Sequence, residues 1–350
     1  MAIIEDDLLG INEIAELARV SKQAVANWRT RFPDFPKPIV ELRAGPVFRA
    51  RQIQNWLRRR KFPMARVISL INLKGGVAKT TTTVALAETL AARFGKRILV
   101  IDLDPQTNAT VMLLGEKKWR SLNEKGRTLA TLFKDALEEP HNKKFDLEKT
   151  LQRQVSDVQG AEKIDLLPSS LDLIDVQDKL ASAPTGQFYS VTPIDLLRLA
   201  VKTKLDNYDL VMVDCPPNLG IITLNGLRIS EGYIIPTVPD FLSTYGIPQI
   251  IKRVGSFSHE IAEDITPLGI LLTKFQANST THATVSADLR KKKDPPVFNT
   301  VIRQANQLAA AAEYQTVGGR RTLKQKYGYD DLADRWVELA KELLEKLEID

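Results

Sequence analysis

Ten consecutive residues, Ile71-Asn72-Leu73-Lys74-Gly75-Gly76-Val77-Ala78-Lys79-Thr80, gather two lysines, two glycines and a threonine. That set suits phosphate chemistry. Glycines add no side-chain bulk, so the backbone amides from Gly75 to Thr80 can wrap a phosphate chain. The Lys79 ammonium would meet the β- and γ-phosphates of a nucleotide, and the Thr80 hydroxyl would bind Mg²⁺. With Thr81, the expected nucleotide-binding run is Lys74, Gly75, Gly76, Val77, Ala78, Lys79, Thr80 and Thr81. Two acidic segments accompany it, Asp102-Leu103-Asp104-Pro105-Gln106 and Asp214-Cys215-Pro216-Pro217, and each closes an apolar run. A carboxylate at the C-terminal end of a strand faces the ligand crevice of an open α/β sheet. An apolar strand ending in Asp, as Leu210–Asp214 does, is the arrangement that holds Mg²⁺ through water, which assigns Asp214 to the metal.

These residues need a frame. From about residue 65 the pattern is apolar strands alternating with amphipathic helices. A strand at Val67–Asn72 leads through the glycine loop into a helix, Thr80–Phe94, which Gly95 closes. Its positive dipole end points at the same anion. Further strands are expected at Arg97–Asp102, Asp165–Leu167, Leu210–Asp214, Tyr233–Pro236 and Leu268–Thr273, and an amphipathic helix at Asp331–Leu347. The fold class is α/β: a mostly parallel P-loop NTPase sheet with helices on both faces, preceded by a small winged helix-turn-helix domain. The polar stretch 115–160 is assigned only to loose helices and loops.

The general phosphate-loop pattern G-x-x-x-x-G-K-[ST] fails here, because Leu73 and Ala78 stand at its glycine positions. K-G-G-x-x-K-T fits instead, and this loop resembles that of the ParA/MinD group of ATPases. The D-x-D-P-Q segment at Asp102 and the D-C-P-P segment at Asp214 are also similar to that family, as are Ile235–Pro239, Gly269–Thr273 and Val297–Ile302. The resemblance runs from about Ala65 onward. It implies that Lys74 reaches across a homodimer to the partner's nucleotide, as an arginine finger does in trans. It implies that Asp104 orients or activates the attacking water and that Asp102 supports the Mg²⁺ shell. The catalytic set is then Lys74, Lys79 and Asp104; the metal set is Thr80, Asp102 and Asp214; the cofactors are ATP and Mg²⁺. Ala78 replaces the family's usual Gly, and Arg303 stands where the family often has Pro in a loop near the adenine.

Residues 1–62 read as a separate unit and 63–350 as the ATPase domain, with Phe62-Pro63-Met64 as linker. Apolar residues from Ile11 to Ala18 recur at helical spacing, and Ser21 caps a second helix, Lys22–Arg31. A short hairpin or wing, Ile39–Leu42 with Val47–Arg49, and a third helix, Ala50–Lys61, follow. The unit is similar to the MerR/excisionase-like winged helix-turn-helix class. That likeness turns Ser21, Lys22, Gln23, Asn27 and Arg29 toward the major groove, and Arg43, Arg49 and Arg51 toward phosphates. Charge agrees: the first 66 residues carry thirteen basic and seven acidic side chains, and the remainder is balanced. In the ATPase body the expected DNA-phosphate contacts are Lys252, Arg253, Arg290, Lys291, Lys292, Lys293, Arg320, Arg321, Lys324 and Lys326.

The resemblance implies a DNA-partition ATPase that dimerises on MgATP, binds DNA without sequence preference and hydrolyses ATP when a ParB-type centromere-binding partner stimulates it. The N-terminal unit would repress its own operon. The alternative is a nucleotide-gated transcription regulator with slow hydrolysis. A lone Cys215 excludes an internal disulfide and a bridging iron–sulfur cluster, and fits a reducing compartment. The start of the chain lacks a secretory pattern and its apolar runs are strand-sized, so a cytoplasmic, nucleoid-associated protein is expected. A membrane role would need a basic amphipathic tail, whereas Glu338–Asp350 carries more acid than base.

Overall fold

The computed structural model describes residues 8–18, 20–59, 65–182, 192–292, 294–315, 319–329 and 331–349. The chain divides into two compact units, Met1–Ala65 and Arg66–Asp350.

In the first unit the helical spacing folds as expected into α1 (Ile11–Leu17) and α2 (Lys22–Arg31). The Ser21 hydroxyl accepts the Ala24 amide at 3.2 Å, which satisfies one of the donors left open at the start of α2. Three antiparallel strands follow the order β1-β3-β2, with β1 Leu8–Leu9, β2 Val40–Leu42 and β3 Gly45–Arg49. The hairpin is tight: Leu42 pairs with Gly45, and glycine there takes φ +123°. The pairing of Leu8–Leu9 onto Phe48–Arg49 was not expected from the sequence. Helix α3 covers Ala50–Arg59; its expected continuation through Arg60 and Lys61, and the linker after it, lie outside the described residues. Trp28, Phe35, Phe48 and Trp56 form an aromatic core, with Trp28 and Trp56 centroids 5.5 Å apart and Trp56 Nε1 donating to Asp34 Oδ2 at 3.1 Å.

The second unit is a six-stranded sheet in the order β6-β5-β7-β4-β8-β9, every named pair parallel. Its strands are β4 (Arg66–Leu70), β5 (Ile98–Asp102), β6 (Ile164–Leu167), β7 (Leu210–Asp214), β8 (Gly232–Thr237) and β9 (Thr266–Leu272). The runs Ile-Leu-Val-Ile-Asp in β5 and Leu-Val-Met-Val-Asp in β7 are buried throughout, because helices cover both faces of a parallel sheet. The helices are α4 (Lys79–Phe94), α5 (Asn108–Leu114), α6 (Glu116–Glu124), α7 (Leu129–Asp135), α8 (Leu147–Thr150), α9 (Leu173–Ser182) and α10 (Leu196–Val201). They continue as α11 (Ile221–Ile229), α12 (Phe241–Tyr245), α13 (Ile247–Glu260), α14 (Thr280–Lys291), α15 (Asn306–Ala310), α16 (Leu323–Tyr327) and α17 (Asp331–Leu347). The polar stretch 115–160 is thus more helical than its pattern suggests.

Helix α4 is the central one. Its residues Thr82 to Ala91 are all buried, and Gly95 ends it in the left-handed region with its amide on Ala91 O. The apolar stripe of α17, from Trp336 through Leu339 and Leu343 to Leu347, packs in the same core. Polar residues fasten this packing. Glu88 of α4 accepts from Lys326 Nζ (2.7 Å), Ser156 Oγ (2.7 Å) and Tyr327 Oη (2.6 Å), all in the interior. Lys326 also meets Asp157 at 2.8 Å, and Arg321 pairs with the same carboxylate. Among the described residues no helix is long and apolar enough to cross a membrane.

Candidate nucleotide site

Strands β5, β7 and β4 are neighbours, and parallel register aligns their C-terminal ends: Asp102 pairs with Asp214, and Asp214 with Leu70. The glycine loop, the Asp104 loop and Asp214 therefore leave the sheet at one edge. Segments far apart in the chain meet there because the strands are adjacent, not because they are sequential.

The loop is held from behind. Asn72, buried, donates to Pro236 O at 2.8 Å and accepts the Lys74 amide at 2.9 Å. The Thr273 hydroxyl donates to Val77 O at 3.0 Å. Sequence reasoning assigned a role to neither side chain; both sit just beyond strand ends, which was the available signal. Gly76 takes φ +75°, and a Cβ built on Gly75 or Gly76 meets no protein atom within 4 Å. Open space thus lies against the loop backbone. Ala78 adopts φ 63° and ψ 30° directly before α4, a left-handed conformation that costs an L-residue about 1–2 kcal/mol and glycine almost nothing. Lys79 curls over the loop and donates to Asn72 O and Lys74 O, both at 3.2 Å. Burial lowers its ammonium pKa, while Asp214 and Asp104 pull the other way. Thr80 and Thr81 follow on the first turn, each partly buried.

Asp214 is fully buried. Its Oδ1 accepts the Thr83 hydroxyl at 3.0 Å, and its Oδ2 is buried with no hydrogen-bond partner in the protein. Burial pushes its carboxyl up to about 7, against the hydroxyls of Thr80 and Thr83 and the Lys79 ammonium. A buried carboxylate oxygen beside the Thr80 hydroxyl, at the head of a helix, offers lone pairs of the hard-oxygen kind that Mg²⁺ takes. The residues present fit a divalent cation bound with a phosphate chain.

Asp102, expected to support the metal shell, is bound within its own loop. Its Oδ1 accepts the Asp104 amide at 3.1 Å, and its Oδ2 accepts both the Thr110 amide (2.9 Å) and the Thr110 hydroxyl (2.6 Å). Burial, and then the neighbouring Asp214, raise its carboxyl well above the usual range. With both oxygens occupied, Asp102 shapes the loop that carries Asp104. Asp104 accepts the Gln106 amide at 2.9 Å, and its own carbonyl accepts the Ser169 hydroxyl at 2.7 Å. Lys74 does not extend outward; its Nζ donates to Ser243 Oγ at 2.7 Å and lies 3.5 Å from Asp240 Oδ1.

The residues expected at DNA divide. Lys22, Gln23 and Asn27 lie exposed on α2, with Gln23 Nε2 donating to Asn27 Oδ1 at 3.1 Å, and Arg43 and Arg49 are exposed on the hairpin. Arg29, in contrast, pairs with Glu41 at 2.5 Å and lies over the Phe48 ring, so it braces the hairpin. Arg51 is half-buried. In the larger unit Lys252 and Arg253 are exposed on α13, and Lys291 and Lys292 are exposed at the end of α14, Lys291 pairing with Asp288; Lys293 lies outside the described residues. Arg290 donates to Phe298 O at 3.0 Å, Lys324 is 3.9 Å from Asp334, and Arg320 pairs with Glu162. Two expectations are overturned. Lys326 is fully buried between Glu88 and Asp157, and Arg321 is turned inward to Asp157; acidic partners far away in the chain took both cations out of solvent. Arg303 pairs with Asp331 at 3.2 Å.

Comparison with known proteins matches residues 65–266 to the AAA domain model. The chain is 32% identical to the chromosome-partitioning ATPase Soj of Thermus thermophilus over 81% of its own length and 97% of that protein. It is 29% identical to the sporulation initiation inhibitor protein Soj of Bacillus subtilis, over 72% of this chain and 89% of that protein. Among solved structures it is similar to cobyrinic acid a,c-diamide synthase from Mycobacterium smegmatis with bound ATP analog and magnesium, at a TM-score of 0.60 and 26% identity, covering 80% of this chain and 94% of the other. The matched span contains the glycine loop with its two lysines and the strand-end aspartates, and the chain belongs to the Soj/ParA family of partitioning ATPases.

Proposed function

We propose that this protein is an ATP-dependent DNA-partition switch. The observation that carries the reading is the unpartnered buried Oδ2 of Asp214 beside Thr80, under an open glycine loop overlain by Lys79. Backbone amides of Gly75–Thr80 and the N-terminus of α4 bind the phosphates of ATP. Magnesium held by Thr80 and, through water, by Asp214 would neutralise charge developing on the transferred phosphoryl group. Lys79 leaves its two carbonyl partners for the phosphates. Asp104, positioned by Asp102 and Ser169, orients the attacking water. Lys74 acts on the nucleotide of a second copy in an ATP-bound homodimer. The dimer holds DNA without sequence preference through exposed cations such as Lys252, Arg253 and Lys292, and a ParB-type centromere-binding partner triggers hydrolysis and release. The N-terminal unit reads operator DNA as a winged helix-turn-helix, with Lys22, Gln23 and Asn27 on its exposed face. The setting is the cytoplasm, on the nucleoid.

A second reading, a nucleotide-gated transcription regulator with slow turnover, is favoured by the strained Ala78 in the phosphate loop. Measuring ATP hydrolysis and non-specific DNA binding together, with and without MgATP, separates the two. The partition reading expects MgATP-dependent DNA binding in the wild type and loss of both activities in Lys79→Ala. DNA binding that ignores MgATP, survives Lys79→Ala and vanishes without residues 1–62 would favour the regulator.

A further inference from the structure

Helix α2 has two different sides. Val25 and Trp28 are buried in the aromatic core of the first unit. Opposite them, at about 100° per residue, Gln23, Ala26, Asn27 and Thr30 share one stripe, and all four are exposed. The stripe is held by bonds of its own. Gln23 Nε2 donates to Asn27 Oδ1 at 3.1 Å, and the Thr30 hydroxyl donates to Asn27 O at 2.9 Å. With that hydroxyl turned to the helix, Thr30 offers a ligand its methyl group, as Ala26 does. The cations stand aside. Lys22 lies at the margin, about 90° from the centre of the stripe. Arg29 pairs with Glu41 at 2.5 Å and lies over the Phe48 ring, so its guanidinium fork is engaged within the unit.

Such a stripe has a chemical preference. In the major groove adenine shows a donor at N6 and an acceptor at N7, guanine shows two acceptors, and thymine shows a methyl group. The Gln23–Asn27 bond leaves a carbonyl acceptor, Gln23 Oε1, next to an amide donor, Asn27 Nδ2. That pair complements adenine, whereas guanine O6 would meet a carbonyl. The methyl groups of Ala26 and Thr30 suit the thymine methyl. An arginine fork, the usual reader of guanine, is withheld by Glu41. We propose that α2 reads A·T base pairs, with Gln23 and Asn27 on an adenine, Ala26 and Thr30 on thymine methyl groups, and Lys22 on a flanking phosphate. The inference rests on the reading of the first unit as a winged helix-turn-helix, whose second helix enters the groove, and it names the class of sequence that unit takes. The positive excess of the first 66 residues supplies the attraction to the backbone.

The full chain selects sites from a duplex library with a randomised segment. Nucleotide is left out, to keep the proposed MgATP-dependent mode of the larger unit out of the measurement. The selected duplex is then remade with 7-deazaadenine for adenine, which removes the N7 acceptor, or with uracil for thymine, which removes the methyl group. Affinities are read by fluorescence anisotropy. We expect an A·T core, with affinity falling about tenfold for 7-deazaadenine at the contacted position and about threefold for uracil. Gln23→Ala combined with Asn27→Ala should weaken the unmodified site about tenfold and erase the 7-deazaadenine effect. Thr30→Ser keeps the hydroxyl and drops the methyl group, and should erase the uracil effect at its position. Lys22→Ala should weaken selected and random duplexes alike. These side chains are exposed, so unchanged melting of each variant separates a lost contact from a lost fold. A core of G·C pairs, or a 7-deazaadenine effect that persists in the double variant, overturns the A·T assignment and leaves the winged helix-turn-helix reading standing. A library that returns no preferred sequence, or a preference that none of these variants alters, removes that reading and the assignment with it.

Discussion

Ala78 and Asp214 each carry a cost that the protein's own contacts do not recover. Ala78 holds a left-handed conformation that glycine adopts freely. Ala78→Gly should stabilise the nucleotide-free protein by about 1 kcal/mol, less what glycine adds to the entropy of the unfolded chain, which is a rise of about 1–2 °C in Tm at most. A lowered Tm would show that the Ala78 methyl contributes packing that outweighs the backbone. Asp214 keeps a buried oxygen without a partner and a carboxyl pushed up to about 7. Asp214→Asn removes the buried charge, so the apo protein should be at least as stable as wild type, while the thermal shift on adding MgATP shrinks or disappears. Opposite signs in the two conditions mark a side chain kept for a ligand; a fall in apo stability with an intact MgATP shift would contradict that role. Residue types at this scale were readable in advance. Lys79 and Thr80 announce themselves by spacing, because a strand, a glycine turn and a helix follow one another within a short window, and Asp214 does so by closing an apolar strand. Asn72, Asp240 and Ser243 were not readable, since ordinary polar residues gain meaning only from what lies across the fold.

At the level of elements, the same distinction explains what the pattern captured. The strands β5 and β7 and the helices α4 and α17 have strong apolar periodicity, and their extents were legible within a residue or two. Strand β1 has two residues and no period to read. The cluster that ties α16 to α4 was misread for another reason: Lys326 and Glu88 are 238 residues apart, and a lysine next to Tyr327 looks like a surface charge until its partners are known. Lys326→Met leaves Glu88 buried without its cation and Asp157 with Arg321 alone, and should cost about 3–5 kcal/mol in urea denaturation near neutral pH. Burial alone would raise the Asp157 carboxyl, but Lys326, with Arg321, outweighs it and holds the group below the usual carboxylate range. A depressed carboxyl contributes stability above its unfolded value and loses it as the pH falls through the folded one, so this contribution is present above about pH 4 and fades below. In Lys326→Met the Asp157 carboxyl tolerates burial better once protonated, so the gap to wild type should narrow on acidification. A gap that is constant with pH would show that Lys326 matters for packing rather than charge.

For the whole molecule, the uneven charge of the sequence acquires a place. The exposed α2 face and hairpin of the first unit carry Lys22, Gln23, Asn27, Arg43 and Arg49, and the larger unit offers separate cations on α13 and α14. Two DNA-binding modes of different character are expected. Removing residues 1–62 should abolish preference for an operator fragment over random DNA yet leave MgATP-dependent binding to random DNA, with both modes weakening steeply between 50 and 200 mM salt, as is usual where phosphate contacts dominate. Electrophoretic mobility shifts with competitor DNA check this; operator preference that survives the deletion would place sequence reading in the larger unit.

The clasp around Glu88 also sets an order of events during synthesis. The phosphate-loop helix is made before it, but the cation that neutralises its buried Glu88 and the adjoining Asp157 comes from Lys326, and the apolar stripe packing in the same core comes later still, from Trp336 to Leu347. A nascent chain carries the whole glycine loop long before it can bury α4 without an uncompensated charge. The ribosome must therefore pass Leu347 before the nucleotide site can settle, and chains released before that point would be open to proteolysis along α4 instead of persisting as half-built competitors.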